Sequence, residues 1–375
     1  MKKRRHLASS SSSKSIPPDI IFDIFARLPF KSLIRFRCVS KFCYSIITNA
    51  SFPNLHAIHF PFKPLGLLIT CPTTLQTGQR FFSLDFDGGT AVDLLTVSPG
   101  FSRYFTHSVN GLVCMDFGLC ATICNPSMRQ AVDVPLICSL KSPLVNSTYY
   151  CVNSFGFDPV SKRYKVLNSW GIPGRETEYR VFTLGTNSWR LVNGGPPYYP
   201  QRQSICVDGV VYLRSCTVMC SVNGSVLVAF DLQTESFRVI TLPERAPQDG
   251  YKSDLIVFGG RPGMVNYQTD NKRVSVWILQ DCFNEVWVKH TFVLPLNWKG
   301  LQGEQKYIVA GTVPTGEVLL VPQILSSHLF VVYYDTKTNS SRKVETSGLP
   351  EYKHNDLFSN IISFTNYEEN ILSFR

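Results

Sequence analysis

The first fifty residues show the apolar spacing of short amphipathic helices. Within residues 17–29, apolar side chains return every three or four positions, at Ile20, Ile21, Ile24, Phe25 and Leu28. Pro17 and Pro18 suit the start of this helix, and Leu28-Pro29 suits its end. Leu33, Phe36 and Val39 predict a second helix, and Ser40 is a candidate N-cap for a third.

Three short helices in about 35 residues bury too little surface to be stable alone. Their apolar residues also wrap too far around each helix to cover one another. The pattern therefore favours a docking module, and a helical cap on the following domain is the alternative.

From residue 54 onward, the pattern changes to short β-branched and aromatic runs divided by turn residues. Similar polar turns begin at Thr183, Asp231, Asp281 and Asp335, which are 48, 50 and 54 residues apart. A period near 50 residues is typical of kelch-type propeller blades. Tight-turn dipeptides between strand-like runs support two hairpins per period, at Asn110-Gly111, Asp208-Gly209 and Thr315-Gly316.

This segmentation predicts five blades and the remnants of a sixth. The five lie near residues 105–136, 154–192, 204–243, 253–292 and 305–346, with an additional hairpin turn at Asp158. Two remaining pieces, a hairpin at 81–95 and the segment 360–374, join the two ends of the chain into a closing blade, which removes exposed sheet edges. The predicted fold is a small all-α module of three helices followed by an all-β domain, a six-bladed kelch-like β-propeller. A β-sandwich is the alternative, but it does not explain the period.

The formal net charge of +10 is concentrated at one end of the chain. Residues 1–15 hold five bases and no acid, residues 16–50 hold a net +3, and the remaining 325 residues hold only +2. A body this close to neutral offers no phosphate-neutralising stripe, so we expect no nucleic-acid partner. Residues 1–15 are basic, serine-rich and low in complexity, which predicts a disordered tail.

The compartment is constrained by the residues after the basic cluster and by the cysteines. No apolar segment long enough for a signal peptide or a membrane span is present, so we expect no membrane partner. The 12 cysteines form no C-x-x-C pair and are interpreted as free thiols in a reducing compartment. Lys2-Lys3-Arg4-Arg5 is a weak match to a nuclear import signal. The prediction is a nuclear or cytoplasmic protein, or both.

Catalytic signatures are missing from the sequence, and we predict no catalytic residue, metal ligand or cofactor. No phosphate-binding loop, nucleophile elbow or zinc-binding spacing occurs. His107, His290 and His328 stand singly, and the glycine-rich run at residues 259–263 is interpreted as a blade turn. Asp158, Asp231 and Asp335 occupy equivalent turns, where a carboxylate bonds nearby backbone amides. Candidate target-binding residues are Tyr198, Tyr199 and Arg202, with packing on a neighbouring blade as the alternative.

The N-terminal module resembles an F-box. The matching strings are Pro18-Asp19-Ile20-Ile21, Arg27-Leu28-Pro29, Lys31-Ser32-Leu33 and Arg35 through Lys41, and the match covers residues 16–53 without a gap. Phe52, which often follows the third helix of the family, is present. Cys43 stands where the family commonly has Trp, a change that would loosen the third helix and reduce affinity for a partner.

This resemblance implies binding to the Skp-type adaptor of an SCF (cullin-RING) ubiquitin ligase. The implied adaptor-binding residues are Pro18, Ile20, Ile24, Leu28, Pro29, Leu33, Arg35, Phe36, Arg37, Val39 and Lys41. The three bases among them would face an acidic adaptor surface. Packing within the module is the alternative role of each apolar residue.

Residues 54–375 resemble the kelch-like F-box-associated interaction domain of plants. The Gly-Phe-Asp-Pro string at 156–159 and the Asn-Pro-Ser string at 125–127 match recurring phrases of that family. The resemblance implies a non-catalytic substrate receptor that holds a target protein for ubiquitination. The rival hypothesis is a propeller that binds or acts on a glycan or small molecule, with the N-terminal helices as a structural cap.

Overall fold

The computed structural model of the 375-residue chain describes residues 16–73, 78–98, 105–137, 150–172, 176–216, 225–243, 246, 254–267, 273–293, 307–322, 329–350 and 363–374. These residues form two compact units. The first ends at Pro61, and the second runs from Phe62 to Phe374. In the described part of the chain, no helix is long and apolar enough to cross a membrane.

The first unit is helical and contains α1 (Pro18–Ala26), α2 (Phe30–Phe36), α3 (Lys41–Ile47) and α4 (Phe52–His59). Helix α1 begins at a proline, which needs no amide partner at that position, and Ser40 caps α3 as predicted. The prediction of three helices is one short. Helix α4 was missed because its apolar spacing is weak and its buried face includes a histidine, His56.

The interior of the helical unit is small and built around aromatic contacts. Its buried side chains are Phe25, Ala26, Leu33, Ile46, Ile47, Phe52 and His56. The rings of Phe22 and Phe52 meet edge to face with centroids 5.3 Å apart, which fastens α4 to α1. Phe52, one residue before the predicted end of the module at residue 53, is therefore one of the residues that hold the unit together.

The second unit consists of six antiparallel sheets, which we number as blades 1 to 6. Blade 1 contains β25 (Ser363–Tyr367), β1 (Gly66–Pro72), β2 (Gln79–Asp85) and β4 (Val92–Val97). Blade 2 contains β5 (Phe105–Val109), β6 (Leu112–Asp116), β7 (Ala121–Asn125) and β8 (Gln130–Asp133). Blade 3 contains β9 (Tyr150–Asp158), β10 (Arg163–Gly171), β11 (Glu178–Thr183) and β12 (Trp189–Val192).

The other three blades repeat the same four-stranded meander. Blade 4 contains β13 (Tyr199–Val207), β14 (Val210–Cys216), β15 (Ser225–Asp231) and β16 (Ser236–Thr241). Blade 5 contains β17 (Leu255–Phe258), β18 (Arg261–Tyr267), β19 (Arg273–Asp281) and β20 (Val286–Val293). Blade 6 contains β21 (Tyr307–Thr312), β22 (Val318–Pro322), β23 (Leu329–Asp335) and β24 (Ser340–Ser347), and the two-residue strand β3 (Gly89–Thr90) pairs with its outer edge.

Hydrophobic clusters between successive blades show that the sheets form a closed ring. Each cluster takes residues from two blades, and together they join blades 1 and 2, 2 and 3, 3 and 4, 4 and 5, 5 and 6, and 6 and 1. Between blades 3 and 4 the packing is so close that a Cβ on Gly156 would lie 2.6 Å from Cδ1 of Leu232. The fold is therefore a six-bladed propeller, and the β-sandwich alternative is excluded.

The ring is closed by the two ends of the chain, as the sequence predicted. Strand β25 pairs antiparallel with β1, from Gly66 opposite Tyr367 to Thr70 opposite Ser363. The predicted composition of this blade was partly wrong. The predicted pieces 81–95 and 360–374 do supply strands of this blade, but β1, a fully buried apolar run, was not recognised from the sequence.

Residues after β25 fasten the closing blade to its neighbours. Asn370 is buried, and its Nδ2 donates to the carbonyl of Asn110 at 2.6 Å and to the hydroxyl of Tyr164 at 2.7 Å. The Nδ2 of Asn125 in turn donates to the carbonyls of Asn370 and Leu372 at 2.9 and 2.8 Å. Blades 1, 2 and 3 thus share one hydrogen-bonded latch.

Repeated aspartates shape the turns, as expected. In the turns after β15 and β19, one carboxylate oxygen of Asp231 and of Asp281 accepts the amides two and three residues on, at 2.8–3.0 Å. These backbone hydrogen bonds lower the pKa of Asp281. Asn110-Gly111 has positive φ at both residues, 48° and 77°, as a type I′ hairpin turn requires. Gly259-Gly260 is also a turn, between β17 and β18.

Candidate functional site

The helical unit carries large apolar side chains on its outside. Ile20 and Ile24 lie one turn apart on the same face of α1 and are 48% and 45% exposed. Phe36 at the end of α2, Val39 in the following turn and Phe42 in α3 are 37%, 67% and 46% exposed. We call these five residues the apolar face of the helical unit. Contiguous exposed apolar side chains of this size are typical of an interaction surface.

Basic side chains accompany the second half of this face. Arg35 and Lys41 are exposed, and Arg37 is half-buried with its guanidinium 5.4 Å from the ring centre of Tyr44. Arg27 instead pairs with Asp23 one turn back on α1, at 3.0 Å. A partner that covers the apolar face would therefore meet positive charge beside Phe36 and Val39, which favours acidic partner residues.

The predicted adaptor-binding residues divide into exposed and interior groups. Pro18, Ile20, Ile24, Pro29, Arg35, Phe36, Val39 and Lys41 are exposed, whereas Leu28 and Arg37 are half-buried. Leu33 is fully buried and belongs to the interior of the unit, so its side chain is unavailable to a partner. Phe42 was missed. It is an aromatic residue directly after the basic position Lys41, and its place in the first turn of α3 was the available signal.

Position 43, where the family commonly has Trp, lies in the first turn of α3. Cys43 is half-buried, and its amide donates to Oγ of Ser40 at 3.1 Å. This N-cap satisfies one amide at the helix start. The local structure of α3 is thus held by Ser40, and the thiol contributes little bulk.

A buried histidine links α4 to the end of α1. The ring of His56 stacks on Phe60 with centroids 5.0 Å apart, and its Nε2 lies 3.1 Å from the carbonyl of Leu28. Burial lowers the pKa of His56, although the contact with Leu28 acts in the opposite direction. A neutral ring that donates from Nε2 fits this arrangement, and it positions the Leu28-Pro29 turn.

In the propeller, the predicted target-binding residues lie at the start of blade 4. Tyr199 opens β13, and its ring meets that of Tyr150 in blade 3 edge to face at 5.1 Å. Tyr198 is half-buried and packs against the cluster between blades 3 and 4. The side chain of Arg202 lies outside the described residues. Their role in target binding stays a prediction.

Two buried polar side chains in the propeller, His107 and Lys165, make contacts with residues distant in the sequence. These contacts were not identified from the sequence. His107 on β5 is buried, and its Nδ1 lies 3.0 Å from Oγ of Ser204 on β13, so it joins the inner strands of blades 2 and 4. Burial lowers the pKa of His107 to about 4. Lys165 in blade 3 bonds Asp158 at 3.3 Å and Glu235 of blade 4 at 3.2 Å. Only a three-dimensional fold brings such distant residues together, and both contacts hold blades in place.

The remaining candidate chemistry also has structural roles or lies outside the described residues. The described cysteines are free, and burial raises the pKa of Cys206 to about 11. His290 lies on the outer strand of blade 5, 6.5 Å from the ring of Phe258, and His328 is outside the described residues. Within the described ranges, no group of three or more His, Cys, Asp or Glu is placed to hold a metal ion.

Comparison with known families matches both units. The F-box domain model matches residues 14–55, and the F-box associated beta propeller domain model matches residues 87–368. The kelch assignment made from the repeat period is not confirmed, because the matching model is the F-box associated one.

Relatives from Arabidopsis thaliana match along nearly the whole chain. F-box protein DOR is 29% identical over 372 residues, covering 93% of this chain and 92% of that protein. F-box protein At1g30790 is 30% identical and covers 90% of each chain. Among solved structures, the six-bladed Aleuria aurantia lectin is 12% identical with a TM-score of 0.38, covering 77% of this chain and 99% of the lectin, a likeness too low to carry a functional argument. The chain belongs to the plant F-box proteins that carry an F-box-associated β-propeller domain.

Proposed function

We propose that the protein is the non-catalytic substrate-recognition subunit of an SCF ubiquitin ligase. The apolar face of the helical unit docks a Skp-type adaptor, and the propeller holds a target protein. Ubiquitin transfer is then a matter of proximity, with the chemistry supplied by other subunits. The target is marked for proteasomal degradation.

One observation carries this proposal: an F-box match falls on a unit that leaves large apolar side chains exposed. Burying the side chain of Ile24 or Val39 in an interface would be favourable, since full burial of a side chain of this size stabilises by roughly 1.5–3 kcal/mol. An adaptor surface that covers them gains this energy, and the neighbouring bases orient an acidic partner.

The direct test is adaptor binding by the full chain. Val39→Asp and Ile24→Asp each place a charge where the proposal has an apolar contact, and both positions are exposed, so the fold tolerates them. We expect each to weaken binding to the Skp-type adaptor roughly 100-fold or more by isothermal titration calorimetry.

The matched control is Ile58→Asp. Ile58 lies on α4, is 72% exposed and is not among the predicted adaptor-binding residues. It should bind the adaptor like the unmodified chain. Equal affinities for all four proteins would overturn the proposal and favour the rival role of the helices as a structural cap.

The proposed compartment is the nucleus, the cytoplasm, or both. The basic cluster at residues 2–5 and the free thiols of the described cysteines support it. Imaging of a fluorescent fusion, with and without Lys2-Lys3-Arg4-Arg5 changed to alanines, separates the two compartments.

A further inference from the structure

The outer strand of blade 5 differs from the other outer strands of the propeller. In blade 6, β3 pairs with the outer edge of β24 at its last two residues, Thr346 and Ser347. In blade 4, both backbone groups of Thr241 on β16 are used, by Nε1 of Trp287 at 3.1 Å and by a carboxylate oxygen of Glu285 at 3.2 Å. Blades 2 and 3 end in strands of only four residues. In blade 1, one backbone group of the outer strand β4 is used, because Arg129 donates to the carbonyl of Asp93 at 3.4 Å.

Strand β20 has none of these protections in the described part of the molecule. It spans eight residues and pairs with β19 along its inner side. Among the described residues, no hydrogen bond reaches the backbone of β20 from its outer side. A long, uncovered outer strand presents a row of free N–H and C=O groups, which is a template for another strand.

The side chains of β20 are also unusual for an outer strand. Val286, Val288 and Val293 are 45%, 39% and 51% exposed, and Phe283 in the preceding turn is 76% exposed. Because side chains alternate along a strand, Val286 and Val288 share one face, and Lys289 lies on the other. The ammonium of Lys289 is 5.4 Å from the ring centre of Trp277.

The charged residues of β20 indicate which kind of peptide segment fits its outer edge. Residues 286–293 contain Lys289 and His290 and no acid. The adjacent Glu285 is engaged with blade 4. A second copy of the strand is a poor occupant, because antiparallel self-pairing centred on Lys289 would set the two Lys289 side chains opposite each other, and the strand has no acid to offset their charge. A partner strand with acidic residues beside Lys289 and apolar residues beside Val286 and Val288 avoids that repulsion.

We propose that β20 binds an extended peptide segment of alternating apolar and acidic residues, which adds to blade 5 as a fifth strand. The inference rests on the proposed function, since that segment would belong to the target protein. Backbone hydrogen bonds along β20 supply affinity, while Val286, Val288 and Lys289 supply selectivity.

The probe for this site is a fluorescein-labelled octapeptide that alternates valine and glutamate, tested on the full chain by fluorescence anisotropy. We expect saturable binding, with slower amide hydrogen exchange in a peptic fragment covering residues 286–293. A valine–lysine octapeptide should not bind. Lys289→Glu should weaken binding of the acidic probe at least 10-fold.

The matched control is Lys343→Glu. Lys343 is an exposed base on β24, the outer strand of a different blade, whose last two residues pair with β3. This variant should bind the acidic probe like the unmodified chain. No binding of the probe at millimolar concentration, or equal losses in the two variants, would overturn the inference.

Adaptor titration of the same preparations separates this inference from the proposed function. If the adaptor binds and the probe does not, the edge inference fails while the proposed function stands. If slower exchange in β20 appears only as the protein is concentrated without probe, the occupant is a second copy and the inference is overturned.

Discussion

The helical unit and the propeller differ in how much of their apolar side chains they leave exposed. The helical unit exposes almost as many large apolar side chains in residues 16–60 as the whole described propeller does. The propeller buries its apolar runs between blades and closes the ring with both chain ends. The proposed adaptor would cover the apolar surface that this small unit leaves exposed, whereas the apolar runs of the ring are already covered by neighbouring blades.

The largest expected loss of stability distinguishes the buried interior of the helical unit from its apolar face. Leu33→Ala removes a fully buried side chain from a small interior and should cost about 3 kcal/mol. Val39→Ala, at an exposed position, should cost less than about 0.5 kcal/mol. Hydrogen exchange of residues 18–59 in the full chain measures both. Similar losses of protection in the two variants would mean that Val39 is part of the interior.

The next effect tests the latch that closes the propeller. Asn370→Ala leaves the carbonyl of Asn110 and the hydroxyl of Tyr164 without the side-chain amide that now donates to both, and should cost about 2–3 kcal/mol. All five tryptophans lie beyond residue 62, so tryptophan fluorescence in urea reports on the propeller. The matched control is Asn193→Ala at an exposed position, which should leave the transition unchanged.

Two groups, the half-buried Glu368 and the buried His107, make the stability of the propeller depend on pH in opposite senses. Burial raises the pKa of Glu368, just after β25, to about 7 from an ordinary 4.5. The folded protein therefore holds this proton over a range in which the unfolded chain releases it, and the contribution to stability is lost as the pH rises through 7. For His107 the pKa falls from 6.5 to about 4, so its contribution is complete above pH 6.5 and lost as the pH falls towards 4.

The substitution Glu368→Gln tests this pH dependence of the stability of the propeller. The variant should gain about 1–2 kcal/mol relative to the unmodified propeller between pH 5 and pH 8, because the glutamine never ionises. His107→Asn is the opposite control, since it removes a contribution that is lost in acid and should flatten the curve between pH 6.5 and 4. Urea midpoints followed by tryptophan fluorescence at each pH measure both. A Glu368→Gln curve parallel to that of the unmodified protein would contradict the raised pKa.

The sequence was most informative where a residue's role is local. The hairpin dipeptides, the aspartate turns and the N-cap Ser40 were predicted because each acts through neighbours a few residues away. Strand β1 was missed because its continuous apolar run has no alternation, and periodicity alone does not distinguish such a run from a buried helix. The contact of His107 with Ser204, 97 residues apart, depends on the ring itself. At the candidate site, Leu33 and Val39 belong to the same helical spacing in the sequence. Only the packed structure shows that Leu33 is buried in the interior and that Val39 lies on the apolar face.

The smallest expected effect concerns the N-cap of α3, which lies between the two bases Arg37 and Lys41. Ser40→Ala removes the acceptor for the amide of Cys43 and should cost about 1 kcal/mol, while Ser40→Asp keeps an acceptor and should cost much less. Because Phe42 and Val39 flank this cap, fraying of α3 would also disturb the apolar face. We therefore expect Ser40→Ala to weaken adaptor binding several-fold by calorimetry without any change in the urea midpoint of the propeller. A propeller that loses stability in this variant would show that the two units do not fold independently.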